Sequence, residues 1–173
     1  MPAASDRRRV VGVIGPGTEA TPREVADAFD VAALAARAGY IVLTGGRDVG
    51  VMDAASRGAR SENGIAVGVL PDTDARSASR AVDIAIVTGL GEARDQVVVL
   101  SSDAILVCGM SAGTSVEAAL AIKAGRKVVL VRSDADVQDF FQRLGGDAVR
   151  VAATPEEAMA IVAAELKARD PAP

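Results

Sequence analysis

The chain has 173 residues, half of them hydrophobic and 24% charged, with a net charge of −4 and no histidine. That length suits one domain of the usual ~100–200 residues, and the missing histidine excludes a Ser-His-Asp triad, a His-ligated zinc and an imidazole base. A single cysteine, Cys108, excludes an internal disulfide and points to the cytoplasm, 2% aromatics and an acidic balance argue against nucleic acid, and no apolar run approaches a membrane span.

Residues 1–9 are polar and basic, with Arg7, Arg8 and Arg9 consecutive, and read as a disordered tail. A first buried strand is predicted over 10–14, broken by Gly15-Pro16-Gly17. Thr21-Pro22-Arg23-Glu24 then opens a helix, with Thr as cap, Pro at the first helical position and Glu three residues after the cap. The helix runs to Ala38 and stops at Gly39. The second strand is 40–44, followed by a glycine-rich loop over 45–50 and a helix over 51–60. A third strand, 65–70, ends at Pro71, and the polar stretch 72–80 reads as a mobile loop. A fourth strand covers 81–87, and Gly89-Leu90-Gly91 leads into a helix over 92–101. The fifth strand, 104–108, precedes a second glycine-containing loop and a helix over 114–124. A sixth strand spans 127–131, a helix 136–144 and a short edge strand 148–151. Thr154-Pro155-Glu156-Glu157 starts a last helix to Arg169, and 170–173 is a tail that Pro171 keeps from being helical.

Apolar strands alternating with helices imply parallel pairing with helices on both faces. The expected fold is an α/β, Rossmann-like, doubly wound sheet of six or seven strands in one domain over 10–169. In such sheets ligands bind at the carboxyl ends of the strands. The loops after strands one, two, four and five are therefore the candidates.

The first candidate is the stretch from Thr44 to Met52, with Gly45, Gly46 and Gly50. Glycines at a strand-to-helix turn allow close backbone approach to a phosphate. The stretch lacks both the Walker A lysine and G-x-G-x-x-G spacing, and glycine also serves such turns for purely conformational reasons. The second candidate runs from Gly109 through Ser111, Gly113, Thr114 and Ser115 to Glu117, where amides and hydroxyls at a helix start suit an anion. Here Thr114-x-x-Glu117 has the spacing of a capping box, as at Thr21 and Thr154, so Glu117 reads either as a cap or as a functional carboxylate. The third is Arg94, with Asp95 beside it, able to bind phosphate or simply to pair locally. Arg76 and Arg80 in the polar loop could close over a ligand, though nothing in the sequence decides this. Cys108 reads as a small buried residue, and Asp134, Asp136 and Asp139 lack EF-hand spacing and read as a solvated helix start.

The stretch from Gly45-Gly46 to Met52 resembles the G-G-G-x-x-G-L-M loop of the LOG-type (Lonely Guy) phosphoribohydrolases, once misnamed lysine decarboxylases. Gly113-Thr114-x-x-Glu117 resembles the end of their P-G-G-x-G-T-x-x-E motif. Arg94, Asp103 and Gly113 keep the order and spacing of that family's catalytic Arg, the Asp opening the next strand, and the motif glycine. Arg47 stands where the family has a third glycine, Asp53 where it has another, and Gly109-Met110-Ser111 replaces Pro-Gly-Gly. With Gly15 in the opening Val13-Ile14-Gly15-Pro16-Gly17, these departures resemble the small DprA-related and molybdenum-cofactor carrier group of the SLOG superfamily.

The resemblance implies a homodimer or homotetramer that binds a phosphorylated, nucleotide-like molecule, a nucleotide or the molybdenum cofactor, with no cofactor required for catalysis. In the binding reading, Gly15, Gly45, Gly46, Gly50, Met52, Gly109, Ser111, Gly113, Thr114 and Ser115 line the ligand site and Arg94 neutralises charge. In the alternative, a LOG-like hydrolase cleaves the N-glycosidic bond of nucleoside 5′-monophosphates. Glu117 then stabilises oxocarbenium character or activates water, and Arg94 orients the substrate. Binding is preferred, because the altered Pro-Gly-Gly segment changes the phosphate seat. No metal site, nucleic acid or membrane partner is expected.

Overall fold

A computed structural model describes residues 7–169. Seven strands form one sheet in the order β4-β3-β2-β1-β5-β6-β7, and every pairing is parallel. The strands are β1 (Val10–Ile14), β2 (Ile41–Thr44), β3 (Ala66–Leu70), β4 (Ile84–Val87), β5 (Ala104–Cys108), β6 (Lys127–Val131) and β7 (Val149–Ala152). The helices are α1 (Pro22–Arg37), α2 (Gly50–Ser61), α3 (Arg94–Ser101), α4 (Ala112–Lys123), α5 (Ala135–Gly145) and α6 (Pro155–Arg169). Helices α1, α2 and α6 cover one face around Val13, Val31 and Leu106, and α3, α4 and α5 cover the other around Ile105, Val107 and Leu130. The expected doubly wound fold is thus present with seven strands.

Strand β5 is buried along its whole length because it is paired on both edges and covered on both faces. The chain builds outward from β1 to β4 and then returns to β5 beside β1, so the sheet reverses direction at the β1–β5 seam. Loops leaving these two strands diverge to opposite faces and open a crevice at the strand carboxyl ends.

Several expectations shift for identifiable reasons. Tyr40 belongs to the close of α1, where its N–H reaches the Ala35 carbonyl. Strand β4 begins at Ile84, not Ala81, because the N–H groups of Ala81 and Val82 bond back to Ser79. Asp83 then clamps the start of β3 through the Ala66 N–H. The stretch 72–80 is stapled to the first glycine loop: Ser79 N–H donates to the Gly46 carbonyl, Asp48 N–H donates to the Ser77 carbonyl, and the Ser79 hydroxyl donates to Asp53. This replaces the mobile loop expected there. Arg76 is held by Asp74, and neither Arg76 nor Arg80 lines the cleft at the strand carboxyl ends. At the amino end, residues 1–6 lie outside the described residues. Arg7 donates two hydrogen bonds to Asp103 and Arg9 pairs with the same carboxylate, so the disorder expected through Arg9 does not extend to these two. The tail expected over 170–173 also lies outside the described residues.

No described helix is long and apolar enough to cross a membrane.

Candidate functional site

Parallel pairing places every strand's carboxyl end on one rim, and the loops after β1 to β5 converge there around a cleft of about 940 Å³. That is the size of a small-molecule site. Its wall takes Gly15 and Gly17 from the first loop, Gly45, Arg47 and Met52 from the second, and Pro71 and Asp72 from the third. Arg94 and Asp95 come from the start of α3, and Ser111, Gly113, Thr114 and Glu117 from the start of α4.

The two glycine-bearing loops differ in how their amides are used. In the first, Gly46 N–H donates to Thr44 Oγ1, Asp48 N–H to Ser77 and Val51 N–H to the Pro16 carbonyl. The glycines serve packing. A Cβ at Gly45 would collide with the Arg94 guanidinium, and one at Gly46 would fall 2.7 Å from the Gly68 Cα. Gly45 lines the cleft, whereas Gly46 and Gly50 lie off its wall.

At the second loop, the Ser111 hydroxyl caps α4 by accepting from Thr114 N–H at 3.2 Å. The helix therefore starts at Ala112, two residues before the expected Thr114. The N–H groups of Ala112 and Gly113 have no acceptor within the helix, and both residues line the cleft. A Cβ at Gly113 would meet nothing nearer than Ser111 Oγ at 4.0 Å, so the space beside this glycine is the cleft itself. Gly109 and Ser115 lie off the wall; the Ser115 hydroxyl donates to the Ala112 carbonyl. Met110 packs against the α3–α5 core and does not plug the cleft.

With the cap at Ser111, Glu117 does not cap α4. It is the sixth residue of α4, far past the capping position, and only 9% exposed. Thr21 and Thr154, by contrast, do cap: each hydroxyl accepts from the N–H of the glutamate three residues on. Burial, reinforced by the nearby Asp95 carboxylate and opposed by Arg94, pushes Glu117 up to about 8. Burial likewise raises Asp95, against the pull of Arg94. Arg94 Nη1 donates to the Val69 carbonyl at 3.1 Å, and its Nε lies 3.0 Å from Asp95 without an aligned hydrogen bond. The result is a cluster of one guanidinium and two carboxyl groups on the cleft wall, Glu117 buried and Arg94 and Asp95 partly so.

Cys108 is fully buried, and burial pushes its thiol up, so it offers no nucleophile. Sequence reasoning left out Asp72, Glu92, Gln96, Val116 and Leu120, all on the wall. The loop after β3 carries no glycine signal, yet a parallel sheet must deliver it to the same rim, and that topological fact was the available clue.

A model of the SLOG cluster4 family matches residues 8–159. An uncharacterized protein of Archaeoglobus fulgidus is 36% identical over 149 residues, covering 86% of this chain and 91% of its own. Among solved structures, the molybdenum cofactor binding protein of Rippkaea orientalis is 42% identical with a TM-score of 0.92, covering 94% of this chain and 99% of its own. The molybdenum cofactor carrier protein of Chlamydomonas reinhardtii is also 42% identical, with a TM-score of 0.89 and coverage of 93% and 99%.

Proposed function

The chain belongs to the SLOG cluster4 family, and from that premise we propose that it binds a phosphorylated molybdopterin-type or nucleotide-like molecule in the rim cleft without turning it over. The observation that carries this reading is the start of α4. Two unengaged amides and a glycine with open space beside it face a cleft of ligand size. The helix dipole adds favourable potential for an anion there. The likeness to a molybdenum cofactor binding protein and a molybdenum cofactor carrier protein supports this class of ligand. Ala112 and Gly113 seat the phosphate, Thr114, Gly15, Gly45 and Met52 line the body of the site, and Arg94 supplies positive charge.

The same reading takes residues 10–169 as one domain, working in the cytoplasm as a homodimer or homotetramer. Exposed apolar side chains at Ile84, Ile86, Val87 and Leu90, on and just after β4, support self-association.

Isothermal titration with the isolated molybdenum cofactor and with AMP tests the seat, alongside thermal shift. Gly113→Ala is expected to stabilise the unliganded helix by about 0.5 kcal/mol while weakening both ligands roughly tenfold, because the methyl group occupies the anion's place. Unchanged affinity in that variant would remove α4 as the seat. Release of free base from AMP, abolished by Glu117→Ala, would replace carriage with hydrolysis.

A further inference from the structure

Arg47 lines the cleft from the loop after β2, two strands across the sheet from β5 and the α4 seat, in a loop whose backbone is fixed by its pairing with Ala78. Its guanidinium reaches Asp72 Oδ1 at 3.1 Å, and both side chains are well exposed, at 44% and 36%. An ion pair that open contributes about 0–1 kcal/mol, so exchanging Asp72 for another anion costs little. The cleft's other arginine is committed: Arg94 is 13% exposed, bonded to the Val69 carbonyl and set against Asp95. The wall also carries the carboxyl groups of Asp72, Glu92 and Asp95, so Arg47 is the cleft-lining cation best placed to take a second negative group on a ligand.

Resting on the binding reading above, we propose that Arg47 is a specificity residue. It leaves Asp72 to hold a second anionic group on a ligand whose first is seated at α4. The preferred ligand class is therefore a small molecule with two separated anionic groups, and a monophosphate fills only half of the site. Arginine suits this role because its planar fork binds oxyanions in bidentate fashion.

The test compares AMP, ADP, ATP and adenosine 3′,5′-bisphosphate by titration against the wild type, Arg47→Ala and Asp72→Asn. At least one of the three polyanionic probes is expected to bind the wild type about tenfold tighter than AMP. Arg47→Ala should erase that preference, and Asp72→Asn should increase it by releasing the guanidinium. If the ion pair serves only to staple the loop, the two substitutions change binding in the same direction, which overturns the proposal. A preference that survives Arg47→Ala, or no preference among ligands that all bind, overturns it while leaving the cleft reading intact. If the isolated molybdenum cofactor binds and no nucleotide does, the preference for two separated anionic groups is overturned and the cleft reading stands; if neither the cofactor nor any nucleotide binds, the cleft reading itself fails and the specificity role falls with it.

Discussion

Glu117 is where burial, charge and position combine most sharply. Its carboxyl lies inside the molecule, beside Asp95 and within the field of Arg94. In the unfolded chain it releases its proton near 4.5, whereas in the fold it keeps it to about 8. Between those values the folded state binds more protons than the unfolded one, so this group's contribution to stability falls as pH rises and is flat outside that window. Glu117→Gln keeps the shape and removes the titration. The melting temperature of the variant should pull ahead of wild type steadily from pH 5 to pH 8, and thermal melts across that range check it. Parallel curves would mean that the carboxyl is solvated. The sequence showed that Glu117 belongs to a loop of interest, but spacing alone was equally compatible with a cap. Burial depends on what α3 brings alongside, and that contact is made by residues distant in the chain.

At the scale of elements, α4 shows how one residue sets a site. Ser111 and Thr114 are both good caps, three positions apart, so the local code permits two helix starts. The turn at Gly109, with φ of 89°, delivers Ser111 in an extended conformation (φ −135°, ψ 176°), and the helix begins there. Thr114 becomes an interior residue, 2% exposed, whose hydroxyl lies 2.9 Å from Ser111 Oγ. Ser111→Ala is expected to cost about 1 kcal/mol, read as a lower urea midpoint with an unchanged slope. It should also weaken ligand binding by loosening the amides of Ala112 and Gly113. Strand β5 and helices α1 and α6 were legible because long apolar or capped segments outweigh their neighbours. The start of β4 was not legible, because Ser79 diverts Ala81 and Val82 into a turn.

For the whole molecule, the unusual feature is the uncovered edge. The connection between β3 and β4 is a loop stapled to the first glycine turn rather than a helix, and all four residues of β4 are exposed. Ile84 and Ile86 pair in register with Val67 and Val69 and extend that face of the sheet into solvent. An apolar parallel edge without Lys, Pro or a bulge invites pairing with another chain. Burying these side chains against a second copy would recover on the order of 1–2 kcal/mol each. Ile86→Lys is expected to shift the protein toward monomer in light scattering, without loss of the far-ultraviolet circular dichroism signal. An unchanged mass would place the contact elsewhere.

The order of strands and helices, the parallel sheet and the rim that holds the site follow from local features: β-branched runs, Thr-Pro starts and glycine stops are read by the backbone without help from distant residues. Which amides remain open, which glycines seat an arginine instead of a ligand, and whether a glutamate is cap or buried acid were decided by the tertiary structure. Hydrogen-bond donors are claimed by whichever acceptor the fold brings within 3 Å, and a carboxyl's charge state depends on the water that distant elements exclude.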